Sequence, residues 1–139
     1  MLIKKIDNLL EELVQIWLQT NKEAHFFISE EYWNQNIAFV KQVLPEAMIF
    51  CEGEQPIKGF LGIIEGHIEG LFVRKEFQHS GVGTSLVKEA KEYFDTLSLC
   101  VYKKNTNAVA FYQKMGFVIQ KKQVEQQTGE IEYCMTWTK

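Results

Sequence analysis

The 139-residue chain lacks the features that mark several classes of protein. It has two prolines and no apolar run near the roughly 18 residues that a membrane-spanning helix needs. Its N-terminal lysines are not followed by the apolar core and cleavage site of a signal peptide. We therefore expect one domain over residues 1–139, located in the cytoplasm and without a membrane partner.

Cysteine is also scarce, and its spacing argues against a metal site. Cys51, Cys100 and Cys134 form no C-x-x-C pair, and their odd count argues against a disulfide framework. Each of them lies in an apolar segment that reads as a strand. We predict three buried free thiols and no metal.

Positive charge is limited as well. The net charge is −3, and Arg74 is the one arginine among the basic residues. This balance predicts no nucleic-acid partner. Lysines that cluster locally can still meet the phosphates of a cofactor, so the net charge does not argue against a nucleotide.

The first half of the chain reads as a strand and two helices. Apolar spacing predicts a strand over 2–6 and a helix from residue 7 to about residue 19. A connector over 21–28 carries an aromatic pair, Phe26 and Phe27. Ser29 suits the N-cap of a second helix, which Pro45 ends.

The second half is richer in strands. The pattern predicts strands over 47–52, 57–64, 67–73, 97–102, 117–124 and 131–138, and helices over 82–94 and after Asn105. The strand over 97–102 is apolar throughout and is expected to be buried on both faces. The order β-α-α-β-β-β-α-β-α-β-β predicts an α/β (α+β) fold. Its mixed, mostly antiparallel sheet of seven strands has one parallel crossover and about four flanking helices.

Two glycines mark the start of the helix over 82–94. The segment Gln78-His79-Ser80-Gly81-Val82-Gly83 lets a ligand approach the backbone, and the free amides and dipole of the helix start favour a phosphate, best a pyrophosphate. A tight connection between strand and helix explains the glycines equally well. The spacing fits neither a P-loop, since no lysine follows Gly83, nor the dinucleotide fingerprint, since Leu86 replaces the third glycine.

Two motifs together resemble the acetyl-CoA signature of the GNAT acetyltransferases. The run Glu69-Gly70-Leu71-Phe72-Val73, followed after four residues by Gln78-x-x-Gly81-x-Gly83, is similar to that family's Q/R-x-x-G-x-G/A block. The run Asn105-x-x-Ala108-x-x-Phe111-Tyr112-x-x-x-Gly116-Phe117 is similar to its N-x-x-A-x-x-F/L-Y-x-K-x-G-F block. The resemblance covers essentially the full length. The N-terminal half most resembles the small bacterial YjaB-type members, through residues 25–29, Tyr32-Trp33 and 44–46.

The resemblance implies an N-acetyltransferase that moves an acetyl group from acetyl-CoA to a primary amine in a ternary complex. It implies that pantetheine pairs with the strand of Leu71, Phe72 and Val73, beside a bulge at Gly70. The pyrophosphate would be held by Gln78, His79, Ser80, Gly81, Val82, Gly83 and Thr84. Tyr112 would also contact the cofactor, and Asn105 is either a plain helix cap or a cap that also bonds the cofactor. Lys75 or Lys104 either meets the 3′-phosphate or stays solvated.

The same resemblance assigns the catalytic residues. Tyr112 would protonate the departing thiolate. Glu69 is favoured as the base, with His25, Glu65, His67 or a chain of water molecules as alternatives.

The acceptor is less defined. The connector between the first two helices and the final hairpin are expected to wall its pocket, with His25, Phe26, Phe27 and Tyr32 lining it. Core packing is an equal alternative for the aromatic rings and is preferred for Trp33. The aromatic connector favours a small-molecule amine, with a protein N-terminus or lysine as the alternative. A module that binds acyl-CoA without turnover is the competing class. We expect a monomer or a homodimer.

Overall fold

A computed structural model describes residues 1–3 and 6–139 of the chain. The strands are β1 (Leu2–Ile3), β2 (Met48–Glu52), β3 (Gly59–Ile64), β4 (His67–Val73), β5 (Thr96–Tyr102), β6 (Val118–Val124) and β7 (Ile131–Thr138). The helices are α1 (Leu10–Ala24), α2 (Glu30–Gln35), α3 (Ile37–Val43), α4 (Val82–Lys91) and α5 (Thr106–Lys114). Short 3-10 turns lie at Leu44–Glu46 and Lys75–Phe77.

The strands form one sheet in the order β1-β2-β3-β4-β5-β7-β6. Every neighbouring pair is antiparallel except β4 and β5, which run parallel and are joined through α4. The predicted seven-stranded, mostly antiparallel sheet with one parallel crossover is therefore confirmed. The described residues form five α-helices rather than about four, because α2 and α3 replace one predicted helix.

Helices cover the two faces of the sheet unequally. α4 and α5 pack on one face, around a core that includes Leu86, Leu99 and Met135. α1, α2 and α3 pack on the other face, where Leu13 and Phe60 are fully buried. This second helical layer covers the β1–β4 side, and the side chains of β5, β7 and β6 on that face are largely open to solvent.

The N-terminal helices differ from their predicted bounds. α1 continues to Ala24 instead of ending near residue 19, so the connector shortens to 25–29. Thr20 and Asn21 are buried, and their side chains donate to the backbone oxygens of Ile16 (2.7 Å) and Trp17 (2.8 Å). These polar residues suggest a loop in the sequence, but hydrogen bonds to the backbone of their own helix satisfy their side chains.

Two smaller corrections concern the same region. The second predicted helix is divided at Asn36, whose side-chain amide donates to the backbone oxygen of Tyr32 at 2.7 Å. β1 comprises Leu2 and Ile3. Ile6, the last residue of the predicted first strand, packs into the core outside any strand. Lys4 and Lys5 of that prediction lie outside the described residues.

The strand expected to be buried on both faces is buried on one. Leu97, Leu99 and Val101 of β5 point into the core, whereas Cys100 is exposed. Cys51 is buried as predicted. The prediction of buried thiols is wrong for Cys100 and for the half-buried Cys134, because the helices of the described residues leave this part of the sheet face uncovered.

Within residues 1–3 and 6–139, no helix combines the length and the hydrophobicity that a membrane span requires. The cytoplasmic location and the single-domain organisation stay predictions.

Candidate active site

The parallel strands β4 and β5 separate after a short paired segment. Their pairing covers His67 with Ser98 and Ile68 with Leu99 within the described chain, although each strand is seven residues long. The β5-facing backbone of Leu71 to Val73 therefore borders a gap instead of a neighbouring strand. The backbone oxygen of Val73 already has a partner at this gap, because it accepts a hydrogen bond from the side-chain amide of Gln78 at 3.0 Å.

A β-bulge lies beside this gap. Gly62 pairs with Gly70 while Ile63 pairs with Ile68, so Glu69 is the extra residue. The bulge predicted at Gly70 is thus confirmed, with Glu69 as the inserted position. A Cβ at Gly70 would lie 2.0 Å from a carbon of the Phe72 ring. A side chain at position 70 would therefore require the Phe72 ring to move.

A cavity of about 830 Å³ opens on the α4 side of the gap. We call it the glycine-side cavity, because Gly81 and Gly83 line it at the start of α4. Nine predicted cofactor residues line it: Leu71, Val73, Gln78, His79, Gly81, Gly83, Thr84, Asn105 and Tyr112. Three do not line it. Ser80 donates its hydroxyl to the backbone oxygen of Phe77, Val82 packs into the core, and the Phe72 ring lies on the other side of β4.

The glycine-side cavity has the groups that acetyl-CoA needs. The first intrahelical bond of α4 runs from the amide of Ser85 to Gly81, so the amides of residues 82–84 precede it. Among the described residues, no side chain caps this turn. A Cβ at Gly81 would meet nothing within 4 Å, which leaves room for a phosphate. Three lysines, Lys75, Lys104 and Lys114, line the same cavity. These groups fit a pyrophosphate and a further phosphate.

A second cavity, of about 450 Å³, lies on the α1 side of the gap. We call it the carboxylate cavity, because Glu69, Glu125 and Glu132 line it. His25, Tyr32 and Trp33 form its aromatic wall. Tyr112 lines both cavities, together with Leu71, Asn105 and Ala108. The two cavities therefore meet at Tyr112.

Comparison with known families agrees with this arrangement. A family model described as the acetyltransferase (GNAT) domain matches residues 18–135. The chain belongs to the GNAT family. It is an acetyl-CoA-dependent acetyltransferase, as the two sequence motifs predict.

YjaB of Escherichia coli is similar to this chain in both sequence and structure. Peptidyl-lysine N-acetyltransferase YjaB of Escherichia coli K12 is 36% identical over 112 residues, which cover 78% of this chain and 76% of YjaB. The solution structure of apo YjaB from E. coli matches with a TM-score of 0.80 and 30% identity, over 92% of this chain and 90% of that chain. The predicted relationship to YjaB is confirmed.

Two further comparisons extend the match. Peptidyl-lysine N-acetyltransferase YiaC of E. coli K12 is 30% identical over 131 residues, covering 92% of this chain and 90% of YiaC. PaiA N-acetyltransferase from Thermoplasma acidophilum, solved in complex with coenzyme A, has a TM-score of 0.76 at 21% identity. It covers 100% of this chain and 98% of that chain, and shares the fold.

Tyr112 of this GNAT enzyme is held by the cap and core of α5. Asn105 caps the helix by accepting a hydrogen bond from the amide of Ala108 at 3.3 Å. The Tyr112 ring packs edge-on against Phe117, with ring centroids 5.6 Å apart. Burial raises the pKa of Tyr112 well above its usual value, so its hydroxyl stays protonated at neutral pH.

His25 lies in the carboxylate cavity as predicted, in a form that does not suit a base. The Asn105 side-chain nitrogen is 3.2 Å from Nε2 of His25, and the imidazole stacks on Trp33. Burial lowers the pKa of His25 to about 4. The imidazole is therefore neutral at pH 7, and its Nε2 accepts a hydrogen bond from Asn105. Such a group positions Asn105 but is too weak a base to take a proton from the acceptor.

Glu69 stands at the bulge and is about half exposed. Its Oε2 is 3.9 Å from Nε2 of His67, whose Nδ1 is 2.8 Å from the Ser98 hydroxyl. Residues two apart in a strand point to the same side, which predicted that His67 lies beside Glu69, and the structure places it there. Glu65 instead lies in the β3–β4 turn with φ +50° and does not line the carboxylate cavity.

The aromatic connector is divided between several surfaces. Tyr32 lines the carboxylate cavity, and Trp33 is buried as predicted. Phe26 is 83% exposed and lines the glycine-side cavity instead of the acceptor pocket. Phe27 lines neither cavity and has the Lys104 ammonium 5.5 Å above its ring.

The sequence predicted that the final hairpin walls the acceptor pocket, and Glu125, Gln127 and Glu132 of this hairpin do line the carboxylate cavity. The individual hairpin residues and the contribution of β5 were missed. The Tyr102 hydroxyl and the Thr128 hydroxyl both donate to Glu125 Oε1 at 2.7 Å. The Tyr32 hydroxyl donates to Gln127 at 2.9 Å, which ties α2 to the same hairpin. Burial, and then the Glu125 carboxylate, raise the pKa of Tyr102. The alternation of polar residues along β5 was the available signal.

Proposed function

We propose that this enzyme transfers the acetyl group of acetyl-CoA to the side-chain amine of a lysine in a protein or peptide. One observation carries the proposal: the two cavities meet at Tyr112, and carboxylates line the cavity opposite the glycines. A lysine amine is cationic before reaction, so Glu69, Glu125 and Glu132 favour its approach. Both YjaB and YiaC are named as peptidyl-lysine acetyltransferases, which supports this acceptor.

Acetyl-CoA supplies the activated acetyl group, and residues of the chain hold it. The amides at the start of α4 would bind the pyrophosphate, and Lys75 or Lys114 would meet the 3′-phosphate. Lys104 is less available, because Glu130 lies 3.1 Å from its ammonium. The β5-facing backbone of Leu71 to Val73 would bind the pantetheine arm. An amide of this segment would polarise the thioester carbonyl.

Proton transfers are assigned to two side chains. Glu69 accepts a proton from the acceptor ammonium, directly or through water, which frees the lone pair that attacks. Tyr112 holds the proton that the departing thiolate takes up. Because its pKa is raised by burial, Tyr112 is a donor throughout the neutral range.

A small amine is the second candidate acceptor, and the aromatic wall of the carboxylate cavity favours it. The rings of His25 and Trp33 lie 5.2 Å apart and enclose one side of the cavity. A slender polyamine would satisfy the same carboxylates as a lysine side chain. Such a compound needs no groove for a peptide, so the two candidates differ in their response to flanking residues.

A thiol-release assay with acetyl-CoA tests the proposal. Acceptors are lysine peptides, the same peptides with acetylated lysine and a free N-terminus, polyamines and free amino acids. We expect turnover with lysine peptides and an increase of about tenfold in acceptor KM for Glu69→Gln and Glu132→Gln. Glu69→Gln should also lower kcat, because it removes the proton acceptor. Glu92→Gln is the matched control, because Glu92 is exposed at the end of α4. Turnover with polyamines alone would contradict the lysine assignment. Binding of acetyl-CoA without turnover on any acceptor would contradict the proposed reaction.

A further inference from the structure

Two cysteines face each other on the open side of the sheet. Cys100 of β5 is the direct cross-strand partner of Cys134 of β7, and their Sγ atoms are 2.8 Å apart. Cys100 is exposed and Cys134 is half-buried, so small reagents can reach this pair. Cys51 is buried and belongs to the core under α1, away from both.

The sulfur pair borders the carboxylate cavity. Cys100 and Glu132 line that cavity, and neither lines the glycine-side cavity. Glu132 and the two sulfurs also lie within 4.8 Å of one another. A change in the bonding of the sulfurs therefore alters the wall on the acceptor side and leaves the donor side in place.

The geometry favours a bond between the sulfurs over a shared metal ion. Two thiolates on one tetrahedral zinc ion, at about 2.3 Å each, stay about 3.7 Å apart. The Cys100 and Cys134 sulfurs are already closer than this. A disulfide needs about 2.05 Å between sulfurs, so a small rotation of the side chains suffices.

We propose that Cys100 and Cys134 form a reversible redox pair, closed to a disulfide by low-molecular-weight disulfides, and that closure weakens acceptor binding. A thiolate of the pair attacks the oxidant's S–S bond and expels one thiolate. The second cysteine then attacks the protein sulfur of the mixed disulfide and expels the other. Two protons leave the cysteines and end on the two released thiols, while the oxidant gains two electrons.

The neighbouring groups make this exchange slow near neutral pH. Although Cys100 is exposed as a residue, partial desolvation of its sulfur against the sheet, and then the hydrogen bond with Cys134, raise the pKa of its thiol. Little thiolate is present at pH 7, so the rate of closure should rise as the pH increases. Glu132 adds negative charge beside the thiols, whereas Lys121 on β6 opposes it.

The chemical half of the proposal is tested by treating the full chain with oxidised glutathione at pH 8.5. We expect peptide mapping by mass spectrometry to find a Cys100–Cys134 bond and dithiothreitol to remove it. Cys134→Ser should carry at most a glutathione adduct on Cys100, and the control Cys51→Ala should still form the bond. A wild-type protein that shows glutathione adducts alone, or that retains stoichiometric zinc on these cysteines, would overturn the redox pair.

The functional half rests on the proposed function and is measured separately. We expect oxidised wild type to show an acceptor KM raised about threefold or more, with the acetyl-CoA KM unchanged. The double variant Cys100→Ser/Cys134→Ser, which can form neither the bond nor an adduct at these positions, should keep its own starting acceptor KM after the same treatment. Identical kinetics of the bonded and reduced enzyme would overturn the effect on the acceptor. Because mapping needs no turnover, a failed acceptor assignment cannot be mistaken for a failed disulfide.

Discussion

Asn105 donates its side-chain amide to Nε2 of His25 across 3.2 Å, and so joins the start of α5 to the end of α1. The oxygen of the same side chain accepts the amide of Ala108, which fixes the orientation of the carboxamide. Tyr112 lies two turns further along α5. The contact thus links the helix that carries Tyr112 to a wall of the carboxylate cavity.

The buried imidazole predicts a loss of stability in mild acid. The pKa of His25 is lowered by burial from 6.5 to about 4. Between these values the unfolded chain binds a proton that the folded chain excludes, so stability is complete above about pH 6.5 and falls towards pH 4. The free energy of unfolding lost through His25 is at most about 3 kcal/mol.

Urea unfolding at pH 7, 5.5 and 4 measures this effect. His25→Asn should show a smaller loss than wild type between pH 6.5 and 4. His79→Asn is the control, because His79 is exposed, and it should lose as much as wild type. Equal pH dependence of wild type and His25→Asn would contradict the assignment.

Loss of the Tyr112 hydroxyl should slow the chemical step. Tyr112→Phe removes the hydroxyl that protonates the departing thiolate, so we expect kcat to fall about 100-fold or more. The affinity for acetyl-CoA, measured by calorimetry, should change little. Tyr93→Phe, at an exposed position outside both cavities, should keep wild-type turnover. An unchanged kcat in Tyr112→Phe across pH 6 to 9 would show that another group supplies the proton.

A side chain at Gly83 should block the glycine-side cavity. Its Cβ would lie 3.4 Å from Phe111 and 3.6 Å from Leu71, so further atoms must extend into the space between them. We expect Gly83→Leu to weaken acetyl-CoA binding by about tenfold or more while the protein remains folded. Lys88→Leu, on the exposed side of α4, tests the effect of leucine on the helix itself. Normal acetyl-CoA binding by Gly83→Leu would refute the placement of the donor.

The single arginine should stabilise the fold through its planar group. Arg74 donates through Nε to the backbone oxygen of Ile57 at 2.7 Å and through Nη2 to Oε2 of Glu12 at 3.0 Å. A lysine cannot reproduce both bonds, so Arg74→Lys should cost about 1 kcal/mol of unfolding free energy. A double-mutant cycle with Glu12→Gln isolates the pair. A coupling energy of zero would mean that the contact contributes nothing.

Local patterns predicted the parts of the fold that neighbours along the chain determine. The start of α4 at the glycines and the cap of α5 by Asn105 are both short-range features, and both are present. The seven strands and their one parallel crossover follow from the order of the elements. The end of α1 was missed, because Thr20 and Asn21 satisfy their polar groups within the helix.

Features that depend on tertiary coverage were not predictable in this way. The sequence of β5 does not state which part of the sheet the helices cover, and the exposure of Cys100 depends on that coverage. Glu132 reaches the carboxylate cavity because β7 pairs with β5, a contact between residues 30 to 42 positions apart. Glu125 lies in the loop that leads into β7. Sequence motifs therefore indicated most residues that line the glycine-side cavity. They did not indicate Glu125, Glu132 or the β5 residues that line the carboxylate cavity.

The extra residue at Glu69 sets the orientation of all that follows in β4. Counted regularly from Ile68, Leu71 and Val73 would face α1. With the insertion they pack towards α4, and Phe72 faces α1. A chain one residue shorter here would exchange the surfaces that β4 presents to donor and acceptor, even with every other side chain retained. Position 69 is therefore a spacer as well as a carboxylate, and the fold should tolerate its replacement far better than its deletion.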